Sequence, residues 1–290
     1  MNTPQRLSAA MLILGLLLTM AAGCALQAAK PTEPSATSPT TAPSQPSTVP
    51  TEPSVTEPPA TEPPATEPPA TEPPEEPVEE QLTVCIDACH QRYGISEKEP
   101  NGPGSDVMKA KLTSGTRGVS TKTPEYQLNL DISLLLEQEL LARGYNVVMI
   151  RRTNDCPLSN AERAQVANES GADIFIRIHA NGSENASVSG ALCCVPTRSN
   201  PYLTAEVIGE SIRLSRAVVD SFCSATGANN QGLMSTDTMT GINWCQIPVT
   251  IVEMGYMSNA QEDEKMADAA YRALMVQGIA DGIDAYFEEI

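Results

Sequence analysis

Residues 81–290 predict one α/β domain, built on a largely parallel sheet with helices on both faces. Three observations predict it. Short apolar runs alternate with helical stretches from Leu82 to Phe287, the pattern of strands joined by crossover helices. Sixteen of the chain's 24 prolines lie in 30–80, which separates that segment from the foldable remainder. The 210 residues from Gln81 onward fit one sizeable domain and not two.

The elements follow in order. Leu82-Thr83-Val84-Cys85-Ile86 is the first short apolar run. After a loop containing Gly and Lys, Thr123-Pro124-Glu125 reads as a helix start, with Thr as cap and Pro in the first helical position. Leu128, Ile132, Leu135, Leu136 and Leu140 then recur at helical spacing, and Gly144 ends the helix. Asn146-Val147-Val148-Met149-Ile150 is the second strand, followed by a helix over 158–170. Asp173-Ile174-Phe175-Ile176-Arg177-Ile178 is the third strand, and a long helix covers 202–226. Pro248-Val249-Thr250-Ile251-Val252 reads as a buried strand, and 262–287 as one closing helix.

The N-terminus reads as an export signal over 1–23. Arg6 supplies a positive start, 11–20 is an apolar run, and Ala21-Ala22-Gly23 precede Cys24. That run is short for a membrane-spanning helix. Cysteine directly after Ala-Gly resembles a bacterial lipobox. Cys24 is therefore expected to become the lipid-modified first residue of the mature protein, anchored at the outer face of the cytoplasmic membrane.

Residues 24–80 are expected to form a disordered tether. The stretch 30–80 holds ten acidic residues and one basic one, and ends in four copies of a Thr-Glu-Pro-Pro unit. It has too little apolar surface to offset the entropy of ordering. Such segments extend at about 3.1 Å per residue, so fifty residues span on the order of 150 Å, enough to reach from a membrane into a surrounding wall. The remainder carries 26 acidic and 16 basic residues with no basic stretch. That balance excludes a nucleic-acid partner, which needs clustered Lys and Arg.

Residues able to do chemistry sit at the ends of three strands: His90 after the first, His179 after the third, Glu253 after the late one. In open parallel sheets the ligand crevice lies at the carboxyl ends of the strands, which puts all three on one rim. Two imidazoles there suit a catalytic zinc ion, which takes three protein ligands and leaves one position open. The chain has no further histidine. A carboxylate is the natural third ligand, and Cys89 beside His90 offers a thiolate instead. Each residue also has a purely structural explanation. Glu125 near a helix start is favoured by the helix dipole, and Glu253 can satisfy loop amides.

Five segments then occur in a telling order: Ile86-Asp87-Ala88-Cys89-His90, Glu125-Tyr126-Gln127-Leu128-Asn129-Leu130, Arg163-Ala164-Gln165-Val166-Ala167-Asn168, Ile178-His179-Ala180-Asn181, and Pro248-Val249-Thr250-Ile251-Val252-Glu253-Met254-Gly255-Tyr256-Met257-Ser258-Asn259. Together they resemble the zinc-dependent N-acetylmuramoyl-L-alanine amidases of bacterial cell walls, over essentially all of 82–288. The resemblance implies a twisted mixed sheet of about six strands flanked by helices. It also implies zinc held by His90, Glu125 and His179, with Glu253 as the catalytic carboxylate. The implied substrate is the amide between N-acetylmuramic acid and L-alanine in peptidoglycan. Glu97-Lys98 imitates the pair that carries the family's ligand glutamate. Glu125 is preferred because it opens an amphipathic helix with Asn129-Leu130 four and five positions on. The segment 91–123 is then an insertion bordering the site, expected to shape substrate access.

The chain also departs from the family pattern. Cys89 stands for a glycine, Gln91-Arg92 for a pair of glycines, and Arg177 where serine is common. Arg177 is read either as a structural ion pair or as a residue near substrate. Beyond Cys24, seven cysteines remain. The number is odd and no CxxC pair occurs, so mostly buried free thiols are expected. The competing readings are a non-catalytic wall-binding or regulatory lipoprotein on the same fold, and another kind of zinc peptidase. The second is disfavoured by the absence of HExxH, and a serine hydrolase by the absence of GxSxG.

Overall fold

A computed structural model describes residues 81–289. The expected signal at 1–23, the lipid site Cys24 and the tether 24–80 lie outside the described residues.

A six-stranded sheet runs in the order β4 (Asn146–Met149), β1 (Thr83–Ala88), β5 (Ile174–Asn181), β8 (Val249–Tyr256), β6 (Ala191–Val195), β7 (Asn230–Ser235). The first four strands are parallel, while β6 pairs antiparallel with β8 and parallel with β7. This is the mixed, mostly parallel sheet that was expected. Both faces are covered, which is why β1 and β5 are nearly unbroken apolar runs.

On one face lie α1 (Glu125–Ala142), α3 (Ala205–Thr226) and α6 (Ala269–Glu288), around a core that includes Val84, Ile86, Ile176, Phe222 and Ile283. The other face carries α2 (Asn160–Glu169) and α4 (Thr240–Asn243), packed on Cys85, Phe175 and Ile251. Four of the five residues of the predicted α1 stripe, Leu128, Ile132, Leu136 and Leu140, are buried, while Leu135 is exposed. Each such burial contributes about 1.5–3 kcal/mol.

Several expectations are corrected. Strands β5 and β8 run three to four residues further than their apolar runs suggest, so His179 and Glu253 lie inside strands. The reason is ladder pairing: the register continues through His179 with Glu253. The segment 91–123 is not plain loop. It contains an antiparallel hairpin of β2 (Ile95–Pro100) and β3 (Met108–Leu112), so Glu97 sits exposed on a strand. Thr123 does not cap α1. Pro124 is the cap residue and no side chain caps it, while the Glu125 N–H donates to the Thr116 carbonyl at 3.0 Å. The closing helix is two: α5 (Ala260–Ala267) stops before Asp268, whose side chain accepts from the Tyr271 N–H and starts α6.

Candidate active site and metal centre

Strand β1 delivers His90 to the carboxyl rim of the sheet. The Cys89 N–H still donates to Ile178 O at 3.2 Å, and the next residue leaves the ladder with φ +63°. A non-glycine residue held in this left-handed region is sparsely populated and marks a constrained position. His90 Nδ1 lies 2.9 Å from the Thr113 carbonyl oxygen and 3.1 Å from its Oγ1. Donating to that carbonyl leaves Nε2 with its lone pair, 3.1 Å from Glu125 Oε1. His179 brings Nδ1 to 3.1 Å from the same oxygen. The two rings meet edge-on, with centroids 4.7 Å apart.

Glu125 is fixed from both sides. Its Oε2 accepts from the Thr116 N–H at 2.8 Å, and Oε1 accepts from the Ala180 N–H at 3.3 Å and Asn129 Nδ2 at 3.4 Å. Burial opposes its charge, but the adjoining His179 and His90 rings prevail and hold its carboxyl well below the usual range. Burial pushes His179 down to about 4, against the pull of Glu125. At neutral pH it is an uncharged imidazole, the form that ligates metals.

The donor set fits a divalent cation. One atom from each of His90, Glu125 and His179 lies within 4.8 Å of the others. With both rings neutral and His90 Nδ1 donating to Thr113, His179 offers at most one proton to Oε1 and His90 Nε2 offers none. At least one 3.1 Å contact therefore sets lone pair against lone pair, an arrangement that a cation resolves. Two nitrogens and one oxygen are a typical catalytic zinc set. Bonds from outside the set orient His90 and Glu125, as is usual around metals.

Gly115 completes the cradle, with φ +78°. An added Cβ there would lie 2.5 Å from Glu125 Oε2 and 2.9 Å from His90 Cδ2. Gly115→Ala is expected to weaken metal binding at this site about 10- to 100-fold, the cost typical of disturbing the shell around metal ligands. Titration against a competing chelator reads it, and unchanged affinity would contradict this account of the cradle.

Glu253 lies directly beside His179 across the β5–β8 ladder and opposite Leu192 of β6. Burial first, and the charge of Glu125 second, push its carboxyl up to about 8. Two carboxylates in one site are thus driven apart, one held ionised and the other kept ready to carry a proton. Such divergence is how acid–base roles are divided.

Asp87 gives Arg177 a structural role. Asp87 Oδ1 is 2.6 Å from Arg163 Nη1, and its Oδ2 is 3.1 Å from Arg177 Nη2, all three side chains being buried. Arg177 is therefore a structural ion-pair member, and it also lines a cavity beside the histidines. The Cys89 thiol turns away to donate to Asp87 Oδ2 at 3.2 Å, and burial pushes its pKa well up. That overturns the thiolate alternative. The seven cysteines from Cys85 to Cys245 are free thiols, all but Cys156 buried.

Sequence reasoning missed Thr113, Gly115 and Thr116, which hold the ligands from within 91–123. Two of those contacts are made by backbone groups, which leave no signature in residue types. Asn129, four residues after Glu125, was the one visible signal.

The family described as N-acetylmuramoyl-L-alanine amidase matches residues 84–285. The chain belongs to this family. Its members are hydrolases of an amide bond in peptidoglycan. The chain is 28% identical over 163 residues to the N-acetylmuramoyl-L-alanine amidase LytC of Bacillus subtilis, covering 56% of this chain and 31% of that protein. It is 28% identical over 213 residues to an N-acetylmuramoyl-L-alanine amidase of Mycobacterium tuberculosis, covering 69% and 85%. The crystal structure of the apo form of the amidase Ami1 from Mycobacterium abscessus superposes with a TM-score of 0.64 at 30% identity, covering 71% of this chain and 98% of that one. Peptidoglycan lies outside the cytoplasmic membrane, so the family acts there. Among the described residues no helix is long and apolar enough to cross a membrane.

Proposed function

We propose that this amidase domain hydrolyses the amide between N-acetylmuramic acid and L-alanine in peptidoglycan, with zinc held by His90, Glu125 and His179 and with Glu253 as the proton-transferring carboxylate. The observation that carries the reading is the convergence of two imidazoles and a buried carboxylate beside a second carboxylate of opposite protonation tendency. Zinc, when bound, supplies Lewis acidity that activates water and steadies negative charge on the amide oxygen.

The side chains do the rest. His90 and His179 present lone pairs, oriented by Thr113 and by the β5 ladder. Glu125 offers Oε1 while Thr116 fixes Oε2. Glu253 takes a proton from the attacking water onto its carboxylate and returns it to the nitrogen of the departing L-alanine. The raised pKa suits this shuttle, because a base that is too weak takes no proton and one too strong releases none.

In the whole protein, cleavage after a signal over 1–23 would leave Cys24 lipid-modified, and the tether 24–80 would carry the catalytic domain over 81–290 from the membrane into the wall. The lipobox-like Ala-Gly-Cys and the Thr-Glu-Pro-Pro repeats support this arrangement.

Digestion of purified peptidoglycan by the full chain, with and without chelator, tests the reading by mass analysis. The expected products are intact stem peptides with free L-alanine amino ends, lost on chelation and restored by zinc. Zinc binding without product would return the chain to a non-catalytic wall-binding role. Cuts within the stem would make it a peptidase.

A further inference from the structure

The cavity beside the two histidines carries a charge pattern that hydrolysis alone does not use. It encloses about 330 Å³ between His90 and His179 on one side and Lys109, Asn160, Arg177 and Gly241 on the others, within the range of small-molecule sites. The chain has a formal net charge of -18, yet none of the cavity's lining residues is Asp or Glu.

Two cations face this space. Lys109 comes from β3 in the 91–123 segment and, among the described residues, joins none of the ion pairs. Arg177 uses Nε and Nη2 on Asp87, at 3.2 and 3.1 Å, and Nη2 also on Asn160 Oδ1 at 2.8 Å. Its Nη1 has no acceptor among the described residues and lies against Gly241, where an added Cβ would sit 1.6 Å away. The missing side chain at that glycine makes the room that the buried guanidinium fills.

The charge behind the cavity is unbalanced too. Asp87 alone serves both Arg163 and Arg177. Arg163 Nη2 is buried without a partner. Arg151, equally buried, donates to oxygens of Ala88, Cys89, Tyr126, Thr153 and Asn154, none of them a carboxylate. One carboxylate thus stands among three buried guanidinium groups. Uncompensated buried charge is costly, and the cavity is the side from which an anion can reach it.

We propose that Arg177 and Lys109 form an anion subsite that holds a carboxylate of the stem peptide next to the scissile amide. The inference rests on the amidase reading for the source of the anion. In that substrate the lactyl carboxyl is consumed by the amide and the acetylated sugars are neutral, so the remaining carboxylates belong to the peptide. Arg177 supplies Nη1 from the buried wall, and Lys109 supplies a point charge from the hairpin. Through this subsite the hairpin selects charged stems over neutral ones.

Titration calorimetry on the full chain decides it, using two peptides that begin with L-alanine and differ only in a carboxylate or carboxamide on the second residue. The carboxylate peptide is expected to bind about tenfold tighter at low salt, the scale of one charge-assisted hydrogen bond. Lys109→Gln is expected to shrink that preference several-fold without moving Tm, and Arg177→Lys to shrink it further. Equal affinity of wild type for the two peptides, no binding of either, or an undiminished preference in Lys109→Gln overturns the subsite. Peptidoglycan turnover is followed in parallel. Preference without turnover supports the subsite and sinks the amidase reading, whereas turnover without preference does the reverse.

Discussion

Glu253→Gln is expected to lower kcat by about a thousandfold, the middle of the range for loss of a general acid–base group, and to leave metal content unchanged. Glutamine keeps the shape of the side chain and the β8 register but cannot accept the proton of the attacking water. Because Glu253 is not among the three groups whose donor atoms converge, metal analysis should separate it from His90, Glu125 and His179, whose replacement is expected to empty the site. Retained turnover in Glu253→Gln would remove it from the mechanism.

The same residue is expected to set the pH dependence. A base must be ionised, and burial together with Glu125 pushes Glu253 up to about 8. Activity therefore rises with pH along an acid limb above the ordinary glutamate value of about 4.3. A cation between the histidines and Glu125 offsets the Glu125 contribution, so in the loaded enzyme the limb falls below about 8. For stability the sign reverses. A carboxyl with a raised folded pKa binds more protons folded than unfolded, so the metal-free wild type loses stability as pH climbs from about 4.3 toward 8. Glu253→Gln removes that loss, so the metal-free variant should melt higher than wild type at about pH 8. The gain in stability and loss of activity then share one cause.

What the sequence revealed and what it hid divide along physical lines. His90 and His179 were legible because the chain has only two histidines, each beside an apolar run. Glu125 was legible through its helix, where Asn129 shares its face and bonds it. The β2–β3 hairpin was not, because Ile95-Ser96-Glu97-Lys98-Glu99-Pro100 and Met108-Lys109-Ala110-Lys111-Leu112 are charged and held by pairing with each other. Strand β6, Ala191-Leu192-Cys193-Cys194-Val195, is a short apolar run, but its place between β8 and β7 is set by pairing that the run itself does not record. The buried Asp87–Arg163–Arg177 cluster joins three segments distant in the chain. Only the fold shows that these charges meet.

Asp87→Asn is expected to be the most destabilising single change, about 3–5 kcal/mol, the cost of breaking a buried ion pair by removing one partner. It would leave Arg163 and Arg177 facing each other in a site with no exposure, and would replace a charge-assisted acceptor of both guanidinium groups and the Cys89 thiol. Urea denaturation reads it as a large fall in midpoint at unchanged slope. Burial alone would raise the Asp87 pKa, but Arg163 and Arg177 hold it far below the usual carboxylate range. A depressed folded pKa means that the stabilisation is fully present above about 3.9 and drains away as pH falls below it. The wild-type midpoint should therefore drop steeply in acid, and Asp87→Asn should flatten that limb. Asp87→Leu combined with Arg163→Met and Arg177→Met separates charge from packing. Apolar replacement of a whole buried cluster is often neutral or stabilising, so the triple variant should regain much of the midpoint that Asp87→Asn loses. If it regains none, the three residues hold the fold through shape rather than charge.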